Sequence, residues 1–190
     1  MNTPAHALMA AALLAKPGAR GRNAALVAGS LIPDATILWM ILWERFVRGT
    51  DMRTIFDERY FAPEWHLIFA LPNSIPLFAL GAGLGYALGC EVFWVFCAAA
   101  LVHLVLDLPL HHDDGHPHFW PFSDWIYASP VSYWDPAHHG ALAGAVEVVL
   151  CLALGAVLWR RFRGLFARVL IAFAVGVELL VPLGWLLALG

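Results

Sequence analysis

The chain alternates long apolar runs with short polar punctuation. Runs at about 23–47, 65–89, 92–110, 141–159 and 165–189 are each long enough to cross, or nearly cross, the roughly 30 Å hydrocarbon core of a bilayer. An earlier run at about 5–15, AHALMAAALLA, is too short to cross alone and reads as a retained, half-inserted or tilted helix. Thr3 and Pro4 suit its N-cap and first helical position. Its basic residues follow the apolar run, the reverse of a secretory signal. The pattern predicts an all-α polytopic membrane helical bundle of five to six membrane segments. It is read as a single integral membrane domain over residues 1–190, with a long loop at 111–140 before the last two helices.

Composition sharpens this picture. With 61% hydrophobic and 13% charged residues, the chain has too little polar surface for an ordinary soluble domain. Its formal net charge is -3, and the Lys and Arg residues fall in short clusters, so no basic surface exists for nucleic acid to follow. Cys90, Cys97 and Cys151 lack C-x-x-C spacing and read as small apolar residues.

The charge clusters orient the bundle. Lys16, Arg20 and Arg22 make one basic loop, and Arg160, Arg161, Arg163 and Arg168 another, an even number of spans away. Cytoplasmic loops carry such an excess, which puts both on the inner side of a cell inner (plasma) membrane and the connections 48–64 and 111–140 on the periplasmic or extracellular side. The second connection holds no Lys or Arg; the first is mixed.

Ionisable residues inside the apolar runs carry the chemistry. His103 and Asp107, four apart, share a helix face. His6 lies near the outer end of the first run, Asp34 follows Pro33, which is expected to kink the second run, and His66 opens the run that descends from the outer loop. Such groups are costly in a membrane and usually face a bundle interior or cavity. Imidazole and carboxylate together suit zinc or a similar divalent ion, whose charge offsets the burial of the carboxylates. A water acidified by that ion would be the nucleophile of a hydrolysis. Each residue also has a plainer reading: His6 as a hydrogen-bonded packing residue, His66 beside Trp65 as an interface marker, and Asp34 as a helix-end residue.

The run HHDDGHPHFWPFSDW gathers His111, His112, His116 and His118, with His138 and His139 further along. For any one of them an ordinary solvated loop is the simpler reading. Asp113 or His112 is placed to serve as base or reserve ligand. Asp135 before Pro136 reads as an N-cap, and Trp120, Phe122, Trp125, Tyr127, Tyr133 and Trp134 as interfacial anchors and a lid. Glu147 and Glu178 lie inside the last two runs as partners at one remove from the centre.

The early His6, the LIPD motif at 31–34, the histidine-bearing third region and HLVLDLPLHHDDGHPHFWPFS resemble the YdjM-like family of bacterial inner-membrane proteins, described as metal-dependent hydrolases. The resemblance covers roughly residues 3–125 and implies metal-site roles for His6, Asp34, His103 and Asp107. The layout is also loosely similar to zinc-dependent phospholipase C. There is a departure: where the family shows H-R-G-x-x-H-S, this chain has EWHLIFALPNSIP, with Asn73-Ser74 at the His-Ser position. Asn is a poor zinc ligand, so the site is expected to bind one ion instead of two, to recruit His111 or His112, or to be catalytically dead.

The leading expectation is a membrane-bound metal-dependent hydrolase of a lipid-like or envelope ester or phosphoester, since a membrane-level cavity with an aromatic mouth admits amphipathic molecules. A transporter in which Glu147 and Glu178 relay an ion is one alternative. A scaffold whose polar cluster only locks helices together is another.

Overall fold

The computed structural model describes the backbone of residues 1–189 and the side chains of residues 1–180. The described chain is helical, with no strand. Its elements are α1 (Thr3–Leu14), α2 (Arg20–Leu42), the single turn α3 (Met52–Thr54), α4 (Pro63–Ala70), α5 (Ile75–Ala87), α6 (Glu91–Asp107), α7 (Gly140–Arg161) and α8 (Leu165–Leu189). A π-helical turn, Trp43–Val47, extends α2, and a second, Ile55–Arg59, follows α3.

Four segments are long and apolar enough to cross a membrane: Arg20–Val47, Pro63–Ala87, Glu91–Leu110 and Gly140–Arg161. With 12 residues, α1 is shorter. Large apolar side chains such as Leu38, Trp39, Leu80, Val105, Val149 and Phe173 stand exposed on the helix surfaces. A bundle surrounded by acyl chains has this inside-out surface, because lipid tails are as apolar as leucine.

Helix α6 packs against α2 and α5, while α1 lies against α2, α6, α7 and α8. The α2–α6 approach depends on Gly29, where an added Cβ would sit 2.1 Å from the Phe96 carbonyl oxygen. Small residues let membrane helices close to backbone contact. Pro33 lies within α2, which continues through it as helix to Leu42.

At one end of the bundle, polar side chains tie the C-terminus of α1. Arg22 donates from Nε to the Leu14 carbonyl (3.0 Å) and from Nη1 to Glu91 (2.7 Å), and Arg161 donates to the Ala12 carbonyl (2.8 Å). These donors take carbonyls that a helix end leaves unpaired. The N-terminus of α1 corrects one expectation: Asn2, not Thr3, is at the N-cap position, and Pro4 lies in the first turn. The Thr3 hydroxyl is used elsewhere, on Asp34.

The run 65–89 is two helices, not one. The chain leaves helical form between Ala70 and Ile75, where Leu71-Pro72 breaks the ladder. Asn73 and Ser74, at 1% and 0% exposure, are thus buried structural residues rather than open site positions. Asn73 Nδ2 donates to the Phe69 carbonyl (2.9 Å), and Ser74 caps α5 through Leu77 N–H (3.2 Å) while its hydroxyl donates to the Trp120 carbonyl. Ile75 N–H donates to the His118 carbonyl (2.9 Å), and His118 Nδ1 lies 3.0 Å from the Asn73 carbonyl. Irregular backbone within a membrane segment persists only where protein satisfies it. The loop after α6 does this here.

The connection from 43 to 64 closes around Glu44, which is fully buried. Its carboxylate accepts from Trp65 Nε1 (2.8 Å), Arg48 (3.1 Å), Arg59 (3.1 Å) and the Thr50 hydroxyl (3.1 Å). Trp65 is thereby fixed inward with Met40, Ile55, Tyr60 and Phe69, which sets the rotation of α4.

Candidate metal centre

At the end of the bundle opposite Arg22 and Glu91, three buried side chains meet. His6 comes from the first turn of α1, and His103 and Asp107 from the last turns of α6. His6 Nε2 lies 2.9 Å from Asp107 Oδ1, and His103 Nε2 lies 2.9 Å from Asp107 Oδ2. The two imidazoles stack with centroids 3.5 Å apart and planes 10° apart. One donor atom from each of the three residues falls within 4.8 Å of the others, so the group could hold a metal ion.

The details fit a ligand set. His103 Nδ1 donates to the Ser30 carbonyl at 2.7 Å, which assigns the proton to Nδ1 and leaves the Nε2 lone pair facing Asp107. Metal-ligating histidines are oriented by such a bond on the far nitrogen. Although close to Asp107, His6 Nε2 and His103 Nε2 form no hydrogen bond of acceptable angle and are otherwise unpartnered. Buried polar atoms are rarely left so, and a shared cation would satisfy both.

Asp34 completes the near surroundings. Its Oδ1 is 3.5 Å from His103 Nε2, and its Oδ2 accepts from the Thr3 hydroxyl at 2.5 Å. The amine of Met1 lies 2.8 Å from Asp107 Oδ1. The structure thus brings together His6, Asp34, His103 and Asp107. It does not bring His66: with Trp65 anchored on Glu44, His66 sits half-buried on α4 and makes no hydrogen bond to the group among the described residues.

The loop contributes different residues from those singled out in its sequence. His111 lies between two carboxylates, with Nε2 3.5 Å from Asp107 Oδ1 and Nδ1 3.0 Å from Asp114 Oδ2. Burial alone would lower the His111 pKa, but Asp107 and Asp114 outweigh it and raise it to about 9. Burial pushes the Asp114 carboxyl up, yet His111 and a bond from Trp134 Nε1 (3.0 Å) hold it below its ordinary value. Asp113, in contrast, points outward and is exposed.

His112 also turns away from the centre. Its Nδ1 contacts the Ser129 carbonyl (2.6 Å), and its ring stacks at 3.6 Å on His138, whose Nδ1 meets Asp135 Oδ2 (2.6 Å). Asp135 caps the short turn Pro136–His138 through Ala137 N–H (2.9 Å), and His139, in left-handed conformation, leads into α7. His116 and His118 are buried struts. Burial, reinforced by nearby His111, drives the His116 pKa down to about 3, so its ring stays neutral beside the Tyr60 hydroxyl (3.3 Å). That hydroxyl donates to the Asp114 carbonyl at 2.8 Å, fixing the turn that presents Asp114.

A second polar group lies beside the first. Asn2 N–H donates to Glu147 Oε1 (2.6 Å), and the Asn2 side-chain amide donates to Glu178 Oε1 (2.9 Å). The glutamates read from sequence as partners at one remove therefore touch the N-terminal turn of α1. Comparison of the chain with family models, curated proteins and solved structures returns no match.

Proposed function

We propose that the chain is a membrane-bound metal-dependent hydrolase, acting on an ester or phosphoester of a lipid-like or envelope molecule. The observation that carries this reading is the convergence of two buried imidazole nitrogens on Asp107 without hydrogen-bond geometry. His6, His103 and Asp107 would hold the ion, with Asp34 as a further donor, and zinc suits the mixed imidazole and carboxylate set. The motif order that resembles the YdjM-like family supports the same assignment. A bound ion there supplies Lewis acidity and a water acidic enough to act as nucleophile near neutral pH.

The chain's own residues account for the rest. Ser30 and Thr3 orient His103 and Asp34. His111, held in its protonated form by the charges of Asp107 and Asp114, is placed to give a proton from Nε2 to a leaving oxygen, with Asp114 an ion-pair partner 3.0 Å from Nδ1. The role first read for His112 and Asp113 passes to His111 and Asp114.

The positive-inside rule supports an orientation with Lys16, Arg20, Arg22, Arg160 and Arg161 in the cytoplasm of a plasma membrane and the centre facing outward. In that orientation α8 is a fifth span and α1 a half-inserted segment. The depth of His103 and Asp107, at the end of an apolar helix, favours a substrate that reaches the centre from the bilayer surface.

Elemental analysis of the detergent-purified protein tests the reading. About one zinc-like ion per chain is expected, lost in His103→Ala and Asp107→Ala, followed by hydrolysis of a lipid or phosphoester that the same variants lack. Wild-type protein that stays metal-free after incubation with zinc, manganese or nickel would end it.

A further inference from the structure

Glu147 and Glu178 lie within the apolar helices α7 and α8 at 3% and 1% exposure. Asn2 flanks both, donating its N–H to one and its side-chain amide to the other, each time to Oε1. The remaining oxygens, Oε2 of Glu147 and Oε2 of Glu178, are fully buried and have no hydrogen-bond partner among the described residues. The described Lys and Arg ion pairs involve Glu44, Asp57, Glu64 and Glu91 and never these two carboxylates. The Met1 amine is engaged at Asp107.

Two carboxylates in one apolar environment repel each other and lose hydration, a strain that either a shared proton or a cation between them relieves. We propose that Glu147 and Glu178 form a second cation site, made of oxygen donors and distinct from the His/Asp centre across α1. Oxygen-only donors select a hard divalent ion such as manganese, magnesium or calcium, whereas the imidazole-bearing centre selects a zinc-like ion. The Glu147 and Glu178 Oε2 atoms are the protein ligands, and water fills the remaining positions, as hard ions require. Asn2 fixes the orientation of both carboxylates without occupying their free oxygens. The site needs no hydrolytic activity and goes beyond the function proposed above.

The test uses manganese(II) alone, added to chelator-stripped full-length protein in detergent, with free ion read by electron paramagnetic resonance. Wild type, His103→Ala, Glu147→Gln and Glu178→Gln are compared. Manganese binding is expected in wild type and in His103→Ala, and at least tenfold weaker in each Gln variant, while zinc content at the His/Asp centre persists in both Gln variants. Gln keeps the oxygen that accepts from Asn2, and circular dichroism with size exclusion checks each fold. Two glutamate positions keep the test alive if one variant misfolds. Absent manganese binding in wild type, or binding that both Gln variants retain, overturns the site and leaves the carboxyls sharing a proton. Loss of zinc in His103→Ala belongs to the hydrolase reading, so the two proposals fail separately.

Discussion

His6 of α1 and His103 of α6 stack face to face at 3.5 Å, and both turn Nε2 toward the same carboxylate, Asp107. Three buried ring nitrogens, both of His6 and Nε2 of His103, have no hydrogen-bond partner, and the two Nε2 atoms are those that face Asp107. Unsatisfied buried polar groups cost roughly 1–3 kcal/mol each, a cost that an ion held by His6, His103 and Asp107 would remove.

The first prediction follows from this shared carboxylate. His6→Ala should lose the ion as completely as His103→Ala, although it lies on a different helix and is far away in sequence. Zinc stoichiometry in the two variants, measured beside wild type, checks it. Retention of full zinc in His6→Ala would remove α1 from the centre. Removal of the ion from wild type by a chelator should also lower the thermal midpoint, because the ion binds only the folded arrangement.

Thr3 acts one step further out. Its hydroxyl holds Asp34 Oδ2 while Asp34 Oδ1 faces His103. Residues that orient ligands from outside the coordination sphere typically change metal affinity by about 10–100-fold. Thr3→Val preserves shape and removes the hydroxyl, so zinc affinity should fall within that range without loss of fold. Competition with a chelating dye measures it, and Thr3→Ser should restore most of the affinity.

Much of this centre was legible in sequence because a membrane makes polar residues conspicuous. His6, Asp34, His103 and Asp107 stood out against apolar neighbours, and the i, i+4 spacing of the last two fixed a common face. His66 looked equivalent, but its direction is decided by Trp65 docking on Glu44, a contact made across a loop that hydropathy does not describe. In the loop after α6 no helical period distinguishes His111 from His112 or Asp113 from Asp114. Only the Tyr60 contact and the stack on His138 turn one member of each pair inward and the other away. The break at Leu71–Ser74 was hidden for a related reason: its backbone is satisfied by loop residues far along the chain. Glu147 and Glu178 were visible as acids inside apolar runs, but their common partner, Asn2, was not.

His111 gives a pH prediction for metal-free protein. Its pKa is raised from 6.5 to about 9, burial being outweighed by the carboxylates on either side. A raised imidazole pKa means stability that is fully present below about 6.5 and is lost as pH rises through about 9. The shift corresponds to at most about 3 kcal/mol. Chelated wild type should therefore melt at progressively lower temperature from pH 6.5 to 9.5. His111→Asn should reduce that slope, and Asp114→Asn should reduce it by a smaller amount. An unchanged profile in His111→Asn would assign the slope to another group.

The last prediction tests how the bundle aims the centre. Ser30 can accept from His103 only because α2 and α6 approach to backbone contact one residue earlier, at Gly29. A Cβ there would meet the Phe96 carbonyl oxygen at 2.1 Å and its carbon at 2.9 Å, and backbone cannot swing aside as a flexible side chain can. Gly29→Ala must therefore separate the helices. Overpacking of this kind typically costs about 1–3 kcal/mol, which lowers the thermal midpoint by several degrees. The separation also draws the Ser30 carbonyl from His103 Nδ1, so zinc affinity should fall together with stability. Gly83, on α5, has nothing within 4 Å of an added Cβ, and Gly83→Ala should leave both quantities near wild type. Equal behaviour of the two variants would show that the α2–α6 crossing does not set the position of His103.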